Sequence, residues 1–492
     1  MSFPKKLEDS ELLRIMHTYN PWWDTGKVPP SKALEFKRRD YHKLLDTLED
    51  RKITAIVGPR RVGKTTLMYQ LIEHIVSKIG PARAMYVSLD DPYLKITAES
   101  LKDIFELYSK YVLKEPLPSV QEQVYLFLDE VQALPGWENV LKRWVDAGYN
   151  VKFFVSGSSS ANILTGATES LVGRISPRIV MPMKFLEVVR FHMNIREGAA
   201  ESRFDKVNWQ LRGSFQDAIL KKDPTLFHGA LEGGANVLAK DSERILLILQ
   251  DYLIKGGYPE VVVTEDIYRS AENLRTYLNL TIYKDIVRTY KIRDPKAFEE
   301  LIAILAKETS QRMNYSSLAG DLGLKRDTLK AYLYYLEATF LISESEFYSR
   351  SRVKRARREK KVYVNDPGIR NVAVSGLDEY LLRDTVELGM VAESVVADHC
   401  RRLKFDLEPS SDPRLFYWKG NKYETDIVME LLRRPVAVEV KYAESVREKR
   451  LKGLNEFIRE HEPPLSLVIT KDRLELSGGI VYVPLWLFLL MC

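Results

Sequence analysis

The sequence has very few cysteines and no long apolar segment. Only Cys400 and Cys492 occur, without C-x-x-C spacing, so the pattern indicates neither a disulfide framework nor a structural zinc site. Residues 1–10 lack the apolar core of an export signal, and the apolar stretch 480–492 is too short to cross a bilayer. We therefore expect a cytoplasmic protein without a membrane partner, in which the last strand and helix are buried.

A strong excess of one charge is also missing. The 74 basic and 68 acidic side chains leave a net charge of +6, so any affinity for nucleic acid has to come from local clusters. Hydrophobic residues make up 45% of the chain and charged residues 29%, which is typical of folded globular proteins. The chain is long enough for about three domains, so we expect several hydrophobic cores.

Short β-rich runs alternate with helical stretches between residues 50 and 190. The runs are I-T-A-I-V at 53–57, A-M-Y-V-S-L at 84–89, V-Y-L-F-L from 124 and V-K-F-F-V from 151. This alternation predicts an α/β fold with a parallel sheet. Residues 205–345 have mainly helical periodicity, interrupted by G-G-Y-P at 256–259, and a mixed α/β pattern begins near 385.

A glycine-containing loop follows the first strand and precedes an apolar helix. The strand-loop-helix context favours a phosphate-binding loop, because backbone N–H groups and the start of a helix converge on phosphate oxygens. We expect Lys64 to reach the β and γ phosphates of ATP and Thr65 to bind Mg²⁺. The predicted nucleotide-binding residues are Gly58, Pro59, Arg60, Arg61, Val62, Gly63, Lys64, Thr65 and Thr66.

Two acidic residues end the third β-rich run, V-Y-L-F-L-D-E. Their position at the carboxyl end of a buried strand suits Asp129 for the Mg²⁺ shell and Glu130 for activating the attacking water. The next run ends in S-G-S-S-S, which makes Ser156 and Ser158 candidate γ-phosphate sensors, with a simple polar turn as the alternative.

With these motifs and L-V-G-R-I at 171–175, the chain resembles archaeal-type P-loop ATPases of the AAA+/STAND group. The resemblance implies ATP hydrolysis coupled to conformational change, and possible homo-oligomers. It also implies that Arg174 contacts the γ-phosphate, within the chain or across a subunit interface, with Arg178 a weaker candidate. N-P-W-W at 20–23 and F-K-R-R-D-Y at 36–41 are similar to family features; they either line the adenine or pack on the core.

Residues 316–337 have the pattern of a helix-turn-helix, followed by two strands around a basic segment, as in a winged helix. Eight of the twelve residues 350–361 are Lys or Arg. The segment is either a phosphate-contact surface for DNA or a solvated loop, and winged helices also serve as protein-binding or purely structural modules. The predicted DNA-binding residues are Lys325, Arg326, Lys330, Lys354, Arg355, Arg357 and Arg358.

The C-terminal string E-T-D-I-V-M-E-L-L-R-R-P-V-A-V-E-V-K predicts two antiparallel strands. Period-two alternation puts Glu439 and Lys441 on one face, near Asp426, which suits one or two Mg²⁺ ions in phosphodiester cleavage. The arrangement resembles the PD-(D/E)xK nuclease superfamily, although Thr425 replaces the proline, and it implies Glu393 as a further acidic ligand. The alternative is a structural ion pair on a sheet face.

Together these patterns predict an α/β chain of four parts. They are a P-loop ATPase domain (1–200), a helical lid or linker (201–295), a winged-helix domain (296–380) and a restriction-endonuclease-like α/β domain (381–492). The leading functional hypothesis is a DNA-binding ATPase, a motor or switch. The alternatives are a STAND-like signalling ATPase with a protein partner and an ATP-gated, Mg²⁺-dependent nuclease.

Overall fold

The structure is a computed structural model that describes residues 8–91, 94, 98–158, 171–195, 202–374, 376–410, 412–443 and 451–492. The chain divides into two compact units. The first unit ends at Met181 and also includes Ala338–Phe340, and the second consists of Pro182–Glu337 and Leu341–Cys492. The predicted four-part division remains a prediction.

The first unit is built on a five-stranded parallel sheet, as the alternating pattern predicted. Its strands are β1 (Ile53–Val57), β2 (Ala84–Ser88), β3 (Val124–Asp129), β4 (Val151–Gly157) and β5 (Ile175–Ile179). Their order across the sheet is β2-β3-β4-β1-β5, so β1 lies between β4 and β5. The first four strands are buried along almost their whole length, which explains why they are continuous apolar runs rather than alternating ones.

Helices connect and flank these strands. One of them, Lys64–Lys78, begins directly after the glycine-containing loop and buries an apolar side made of residues such as Leu67, Leu71 and Ile75. The α-helices of the unit are Asp9–Tyr19, Trp22–Thr25, Arg39–Leu45, Lys64–Lys78, Ala98–Leu107 and Trp137–Asp146.

The second unit contains a nine-stranded mixed sheet. Its strands are β6 (Arg312–Met313), β7 (Ile342–Phe347), β8 (Lys360–Val364), β9 (Leu415–Lys419), β10 (Glu424–Leu431), β11 (Arg434–Lys441), β12 (Leu465–Thr470), β13 (Glu475–Ser477) and β14 (Ile480–Pro484). The order across the sheet is β13-β14-β12-β11-β10-β9-β7-β8-β6. The strands β7 and β8 of the predicted wing are therefore continuous with the C-terminal strands, because β7 pairs with β9 in parallel.

Helices make up the rest of the second unit. The helix-turn-helix pattern corresponds to Tyr315–Asp321 and Arg326–Ala338, and the basic segment forms a short helix rather than only a loop. The α-helices are Phe185–His192, Arg203–Lys221, Pro224–Val237, Ser242–Lys255, Pro259–Val262, Ile267–Leu280, Arg288–Tyr290, Pro295–Lys307, Tyr315–Asp321, Arg326–Ala338, Arg352–Arg357, Pro367–Val374, Thr385–Leu407, Lys452–His461 and Leu485–Met491.

The last strand and helix are buried, as expected, because every residue from Ile480 to Cys492 is buried. Cys400 and Cys492 are both free and buried. Within the described ranges, no helix is both long and apolar enough to cross a membrane.

Candidate functional site

The loop between β1 and the helix Lys64–Lys78 has a backbone that only certain residues tolerate. A Cβ on Gly58 would lie 1.9 Å from the carbonyl oxygen of Val180, so this position has no room for a side chain. Gly63 has φ 95°, in the region that glycine adopts at little cost, and Arg61 also has a positive φ of 64°. The loop is thus held in a tight curl directly before the helix, at the end where the first backbone N–H groups of a helix have no acceptor within the helix itself.

Lys64 is buried, and its ammonium group lies over the loop. Its Nζ donates to the carbonyl oxygens of Gly58 at 2.9 Å and Pro59 at 2.8 Å. The buried Arg38, from the F-K-R-R-D-Y segment, donates to the carbonyl oxygens of Val62 at 3.0 Å and Met181 at 2.9 Å. Arg38 therefore braces the loop, which is a packing role for this residue of the F-K-R-R-D-Y segment.

Asp129, the last residue of β3, accepts hydrogen bonds from three hydroxyl groups. Thr65 Oγ1 and Tyr86 OH each donate to its Oδ2 at 2.7 Å, and Ser156 Oγ donates to its Oδ1. These residues come from the helix after the loop and from strands β2 and β4 on either side of β3. The carboxylate is fixed in one orientation next to the start of the helix.

Glu130 follows in a left-handed backbone conformation, with φ 55°. Its N–H donates to Ser156 Oγ at 3.0 Å, and its side chain accepts a hydrogen bond from Gln132, whose Nε2 lies 3.3 Å from Ser158 Oγ. Burial raises the pKa of the Glu130 carboxyl, the Lys64 ammonium lowers it, and the Asp129 carboxylate raises it again, with a net increase. A carboxylate with a raised pKa suits a general base that takes a proton from water.

The residues at this strand end fit Mg²⁺. The Thr65 hydroxyl and the Asp129 carboxylate lie side by side at the helix start, and both are oxygen donors of the kind that Mg²⁺ prefers. Where the structure describes the chain, no group of three or more His, Cys, Asp or Glu side chains is arranged to hold a metal ion.

Arg174 lies away from the loop in the same chain. It directly precedes β5, whose Ile175 is paired with Ile53 at the start of β1, whereas the loop follows Val57 at the other end. The four residue steps from Ile53 to Val57 place these two sheet edges roughly 13 Å apart. The Arg174 side chain is also engaged elsewhere, since its Nε donates to Asp146 at 2.5 Å. The predicted contact with the γ-phosphate of the same chain is therefore not supported by this placement, and the version across a subunit interface remains a prediction.

Arg178, the weaker candidate, lies within β5 opposite Ile56 and is half-buried. Residues 159 and 160 of the S-G-S-S-S motif lie outside the described residues, as does the segment that follows them up to 170. Ser156 and Ser158 are described, and both are buried against the acidic strand end.

Several supporting residues were not predicted from the sequence. Tyr86 on β2 donates to Asp129, and its backbone is held by Asn20, which accepts from Tyr86 N at 2.6 Å and donates to Tyr86 O at 2.9 Å. Both tryptophans of N-P-W-W donate through Nε1 to the carbonyl oxygen of Ala84, at 3.0 Å from Trp22 and 2.9 Å from Trp23. The N-P-W-W motif thus packs on β2 and positions the strand that carries Tyr86, whose only sequence signal is a tyrosine inside an apolar run.

A cleft of about 510 Å³ in the second unit brings together the helix-turn-helix and the basic segment. Arg326 and Lys330 from the second helix of the motif line it together with Arg357 and Arg358 from the basic segment, and all four are exposed. Lys325 and Lys354 are exposed as well. Six of the seven predicted DNA-binding side chains therefore reach solvent.

Three other cations of the basic run, Arg355, Lys360 and Lys361, are used inside the protein, whereas Arg350 and Arg352 are exposed. The Arg355 guanidinium lies over the Phe416 ring, 4.5 Å from its centroid, and donates to the carbonyl oxygen of Ser349. Lys360 pairs with Glu344, and Lys361 is 2% exposed. The prediction that Arg355 is available for DNA is not supported, because this side chain is held by packing.

The C-terminal acidic residues and their lysine come together around β10 and β11. Lys441 Nζ lies 2.7 Å from Glu439 Oε1 and 3.4 Å from Asp426 Oδ2, and Asp426 N–H donates to Glu439 Oε2 at 3.3 Å. Glu393, on the helix Thr385–Leu407, joins this group through Lys361, a residue that sequence analysis had placed only in the basic run.

These residues do not fit a divalent metal in the way the sequence predicted. Lys361 Nζ lies 3.0 Å from Glu393 Oε1, 2.8 Å from Glu424 Oε1 and 3.6 Å from Asp426 Oδ1, so an ammonium group occupies the space among the carboxylates. Burial raises the pKa of Glu439 to about 8 and that of Glu393 to about 7. Although burial opposes ionisation of Asp426, Lys441 and Lys361 hold the pKa of its carboxyl below the ordinary value. The predicted metal role of Asp426 and Glu439 is therefore not supported by this placement, since both carboxyls are paired with lysines and backbone N–H groups.

Comparison with protein-family models agrees with the site in the first unit. Residues 50–189 match an AAA domain. Residues 247–381 and 388–488 match two domains of unknown function, DUF8612 and DUF4143.

Relatives of similar length occur in archaea and bacteria. The uncharacterized protein MJ1637 of Methanocaldococcus jannaschii is 27% identical over 471 residues, covering 93% of this chain and 90% of the relative. MJ1544 of the same organism is 23% identical over 417 residues, covering 83% and 79%. An uncharacterized protein of Haemophilus influenzae is 21% identical over 351 residues, covering 70% and 74%.

Among solved structures, the Walker-type ATPase paby2304 of Pyrococcus abyssi is 18% identical, with a TM-score of 0.44, covering 71% of this chain and 99% of that one. The ORC2 protein of Aeropyrum pernix in its ADP form is 12% identical, with a TM-score of 0.30, covering 76% and 98%. The parallel sheet, the phosphate loop and the AAA-domain match together show that the first unit contains a P-loop ATPase domain.

Proposed function

We propose that the protein is a DNA-binding ATPase, in which the nucleotide state of the first unit is coupled to DNA engagement by the helix-turn-helix and the basic segment. The observation that carries the DNA part is the shared cleft, in which Arg326 and Lys330 lie together with Arg357 and Arg358. In the sequence these cations form two separate sets, one in the helix-turn-helix and one in the basic segment.

In the nucleotide site, each polar residue has a definite task. Lys64 exchanges the carbonyl oxygens of Gly58 and Pro59 for the β and γ phosphates, since its ammonium already lies over the loop. Thr65 and Asp129 hold Mg²⁺, which when bound neutralises the charge that develops on the phosphates. Glu130 orients the attacking water and takes its proton.

Charge in the cleft supports contact with a phosphate backbone. The cleft also contains four carboxylates. Two are paired with inner cations, Glu344 with Lys360 and Glu359 with Arg312 at 2.7 Å, while Glu346 lies 4.0 Å from Lys360 and Glu337 accepts from the Glu344 N–H. The exposed side chains of Arg326, Lys330, Arg357 and Arg358 are the cations that face an approaching polyanion. Arg and Lys in such a position bind phosphates without reading sequence, as a motor or a switch on varied DNA requires.

A signalling ATPase with a protein partner is the main rival, and stimulation of hydrolysis by DNA separates the two. The ATPase rate is measured with and without duplex, single-stranded and branched DNA, with Lys64→Ala as the inactive control. We expect at least one DNA form to raise the rate. A rate indifferent to every DNA form, together with no detectable DNA binding, would contradict the proposal.

A charge-matched comparison tests the cleft itself. A variant with Arg326, Lys330, Arg357 and Arg358 all changed to Gln is compared with one in which four exposed cations elsewhere in the second unit are neutralised, namely Lys222, Lys240, Arg269 and Arg275. If the four cleft cations contact phosphates, log K in the parent falls with log salt at a slope of roughly −3.6. We expect the cleft variant to lose this slope and the control variant to keep it.

A further inference from the structure

We infer that Lys361 is the resident cation of the C-terminal carboxylate cluster, occupying the place of a divalent metal, so that this nuclease-like site is a structural ion network without metal-dependent cleavage. The inference is independent of ATP hydrolysis and of DNA binding in the cleft.

The position of Lys361 follows from its strand. Lys360 and Lys361 are neighbours on β8, and successive side chains of a strand point to opposite faces. Lys360 pairs with Glu344, while Lys361 points into the cluster and is 2% exposed. In the sequence, Lys361 is one of the eight cations of the basic run. In the structure, the register of β8 places its side chain inside the protein.

The Lys361 ammonium contacts one oxygen each from three carboxylates, of which Glu393 comes from a helix and Glu424 and Asp426 from β10. A divalent ion shared by Glu393 and Asp426 would have to lie among the same oxygens, where Lys361 Nζ already is. A second positive charge at that distance is strongly disfavoured in a buried site. The ion and the ammonium therefore exclude each other.

Neighbouring groups hold the arrangement on all sides. Tyr363 OH donates to Glu393 Oε1 at 3.1 Å, Arg312 Nε lies 2.8 Å from Glu424 Oε2, and Val440 N–H donates to Asp426 Oδ2 at 2.9 Å. The network links β6 and the wing strand β8 with β10, β11 and the helix Thr385–Leu407. Its role is to join these elements, and a buried ammonium with three carboxylate partners is costly to withdraw.

Binding of Mn²⁺ to the full chain tests the inference. The measurements use an Asp129→Asn background, which removes the carboxylate at the nucleotide site, and detect bound Mn²⁺ by equilibrium dialysis and electron paramagnetic resonance. With Lys361 present, we expect adding Asp426→Asn to leave Mn²⁺ binding unchanged. Changing Lys361→Met should create a site for about one Mn²⁺ per chain, held by oxygen ligands and lost again with Asp426→Asn.

Lys360→Met is the matched control, since it removes the same charge from the adjacent residue on the opposite face and should create no Mn²⁺ site. Mn²⁺ bound by the Lys361-containing protein and lost with Asp426→Asn would overturn the inference. So would a folded Lys361→Met variant that binds no Mn²⁺. If Lys361→Met does not fold, the inference is tested by Mn²⁺ binding to the Lys361-containing protein with and without Asp426→Asn. A DNA cleavage assay with Mn²⁺ is the second measurement, and we expect no cleavage.

Discussion

The Thr65 hydroxyl donates to Asp129 Oδ2 at 2.7 Å, which joins the second residue of the helix after the phosphate loop to the last residue of β3. The same oxygen accepts from Tyr86 OH. A carboxylate held in this way keeps its orientation for a metal ion before any nucleotide arrives, and preorganised charge of this kind is a large contributor to catalysis.

Asp129→Asn is therefore expected to reduce ATP turnover by roughly a hundredfold or more, because an amide is neutral and has only one oxygen for the ion. Tyr86→Phe should reduce it far less, since it removes one of three hydroxyl donors and keeps the carboxylate. Steady-state phosphate release measures both variants. An Asp129→Asn enzyme with parental turnover would show that Asp129 has no part in hydrolysis.

Glu130→Gln is expected to bind ATP but not to hydrolyse it. The amide retains the size of the side chain and its link to Gln132, yet it cannot take a proton from water. Binding of a fluorescent ATP analogue and single-turnover phosphate release distinguish the two steps. Loss of binding together with turnover would instead indicate that Glu130 mainly supports the loop.

The nucleotide site was largely readable from sequence because it is local. Residues 58–66 are contiguous, and Asp129 and Glu130 end an apolar run, so strand-loop-helix order was enough to place them at one sheet edge. Tyr86 and Arg38 could not be found in this way, because their partners are distant in sequence and their residue types are common in cores and on surfaces.

Side-chain direction, strand pairing and position along a strand explain the other differences between sequence and structure. In the basic run, eight cations looked equivalent, but strand register turns Lys361 inward and packing on Phe416 removes Arg355. The pairing of β7 with β9 made the wing part of the C-terminal sheet, and a pairing between strands about 70 residues apart leaves no local pattern. The role of Arg174 was similarly predicted from its motif alone, without regard to its position before the first residue of β5, at the sheet edge opposite the loop.

Arg174→Ala is expected to leave turnover unchanged wherever the protein is monomeric, since Arg174 lies at the opposite sheet edge from the loop of its own chain. Its pair with Asp146 is partly exposed, so its loss should cost at most about 1 kcal/mol. Turnover measured across a range of protein concentrations checks this. Activity recovered by mixing Arg174→Ala and Lys64→Ala chains would assign Arg174 to a neighbouring subunit, whereas reduced turnover of the monomer would contradict its placement.

Gly58→Ala is expected to abolish nucleotide binding or destabilise the first unit, because the new Cβ would lie 1.9 Å from the carbonyl oxygen of Val180, a backbone atom that cannot turn aside as a flexible side chain can. Gly213→Ala is the matched control. Gly213 lies inside the helix Arg203–Lys221 with nothing within 4 Å of an added Cβ, so this change should stabilise by about 1 kcal/mol. Thermal unfolding and ATP binding of both variants test the contrast, and a normal Gly58→Ala protein would show that the loop has more room than the structure gives it.

His399 is expected to make the second unit sensitive to acid. The ring is fully buried: Phe185 N–H donates to Nε2 at 3.2 Å, and Nδ1 lies 2.9 Å from the Val395 carbonyl oxygen, so the native hydrogen bonds require a neutral ring. Burial lowers its pKa to about 4, against the ordinary 6.5. The unfolded chain therefore binds this proton more readily between those values, and the free energy of unfolding should fall as pH drops through the window, by roughly 3 kcal/mol at most from this residue.

Thermal unfolding at pH 7 and pH 5 measures the effect. His399→Gln keeps a hydrogen-bond acceptor near Nε2 but does not titrate, so its melting temperature should fall less than that of the parent between the two pH values. His42→Gln changes an exposed histidine and should behave like the parent. The prediction is wrong if His399→Gln loses as much stability on acidification as the parent does. The acid response would then be caused by protonation of other groups.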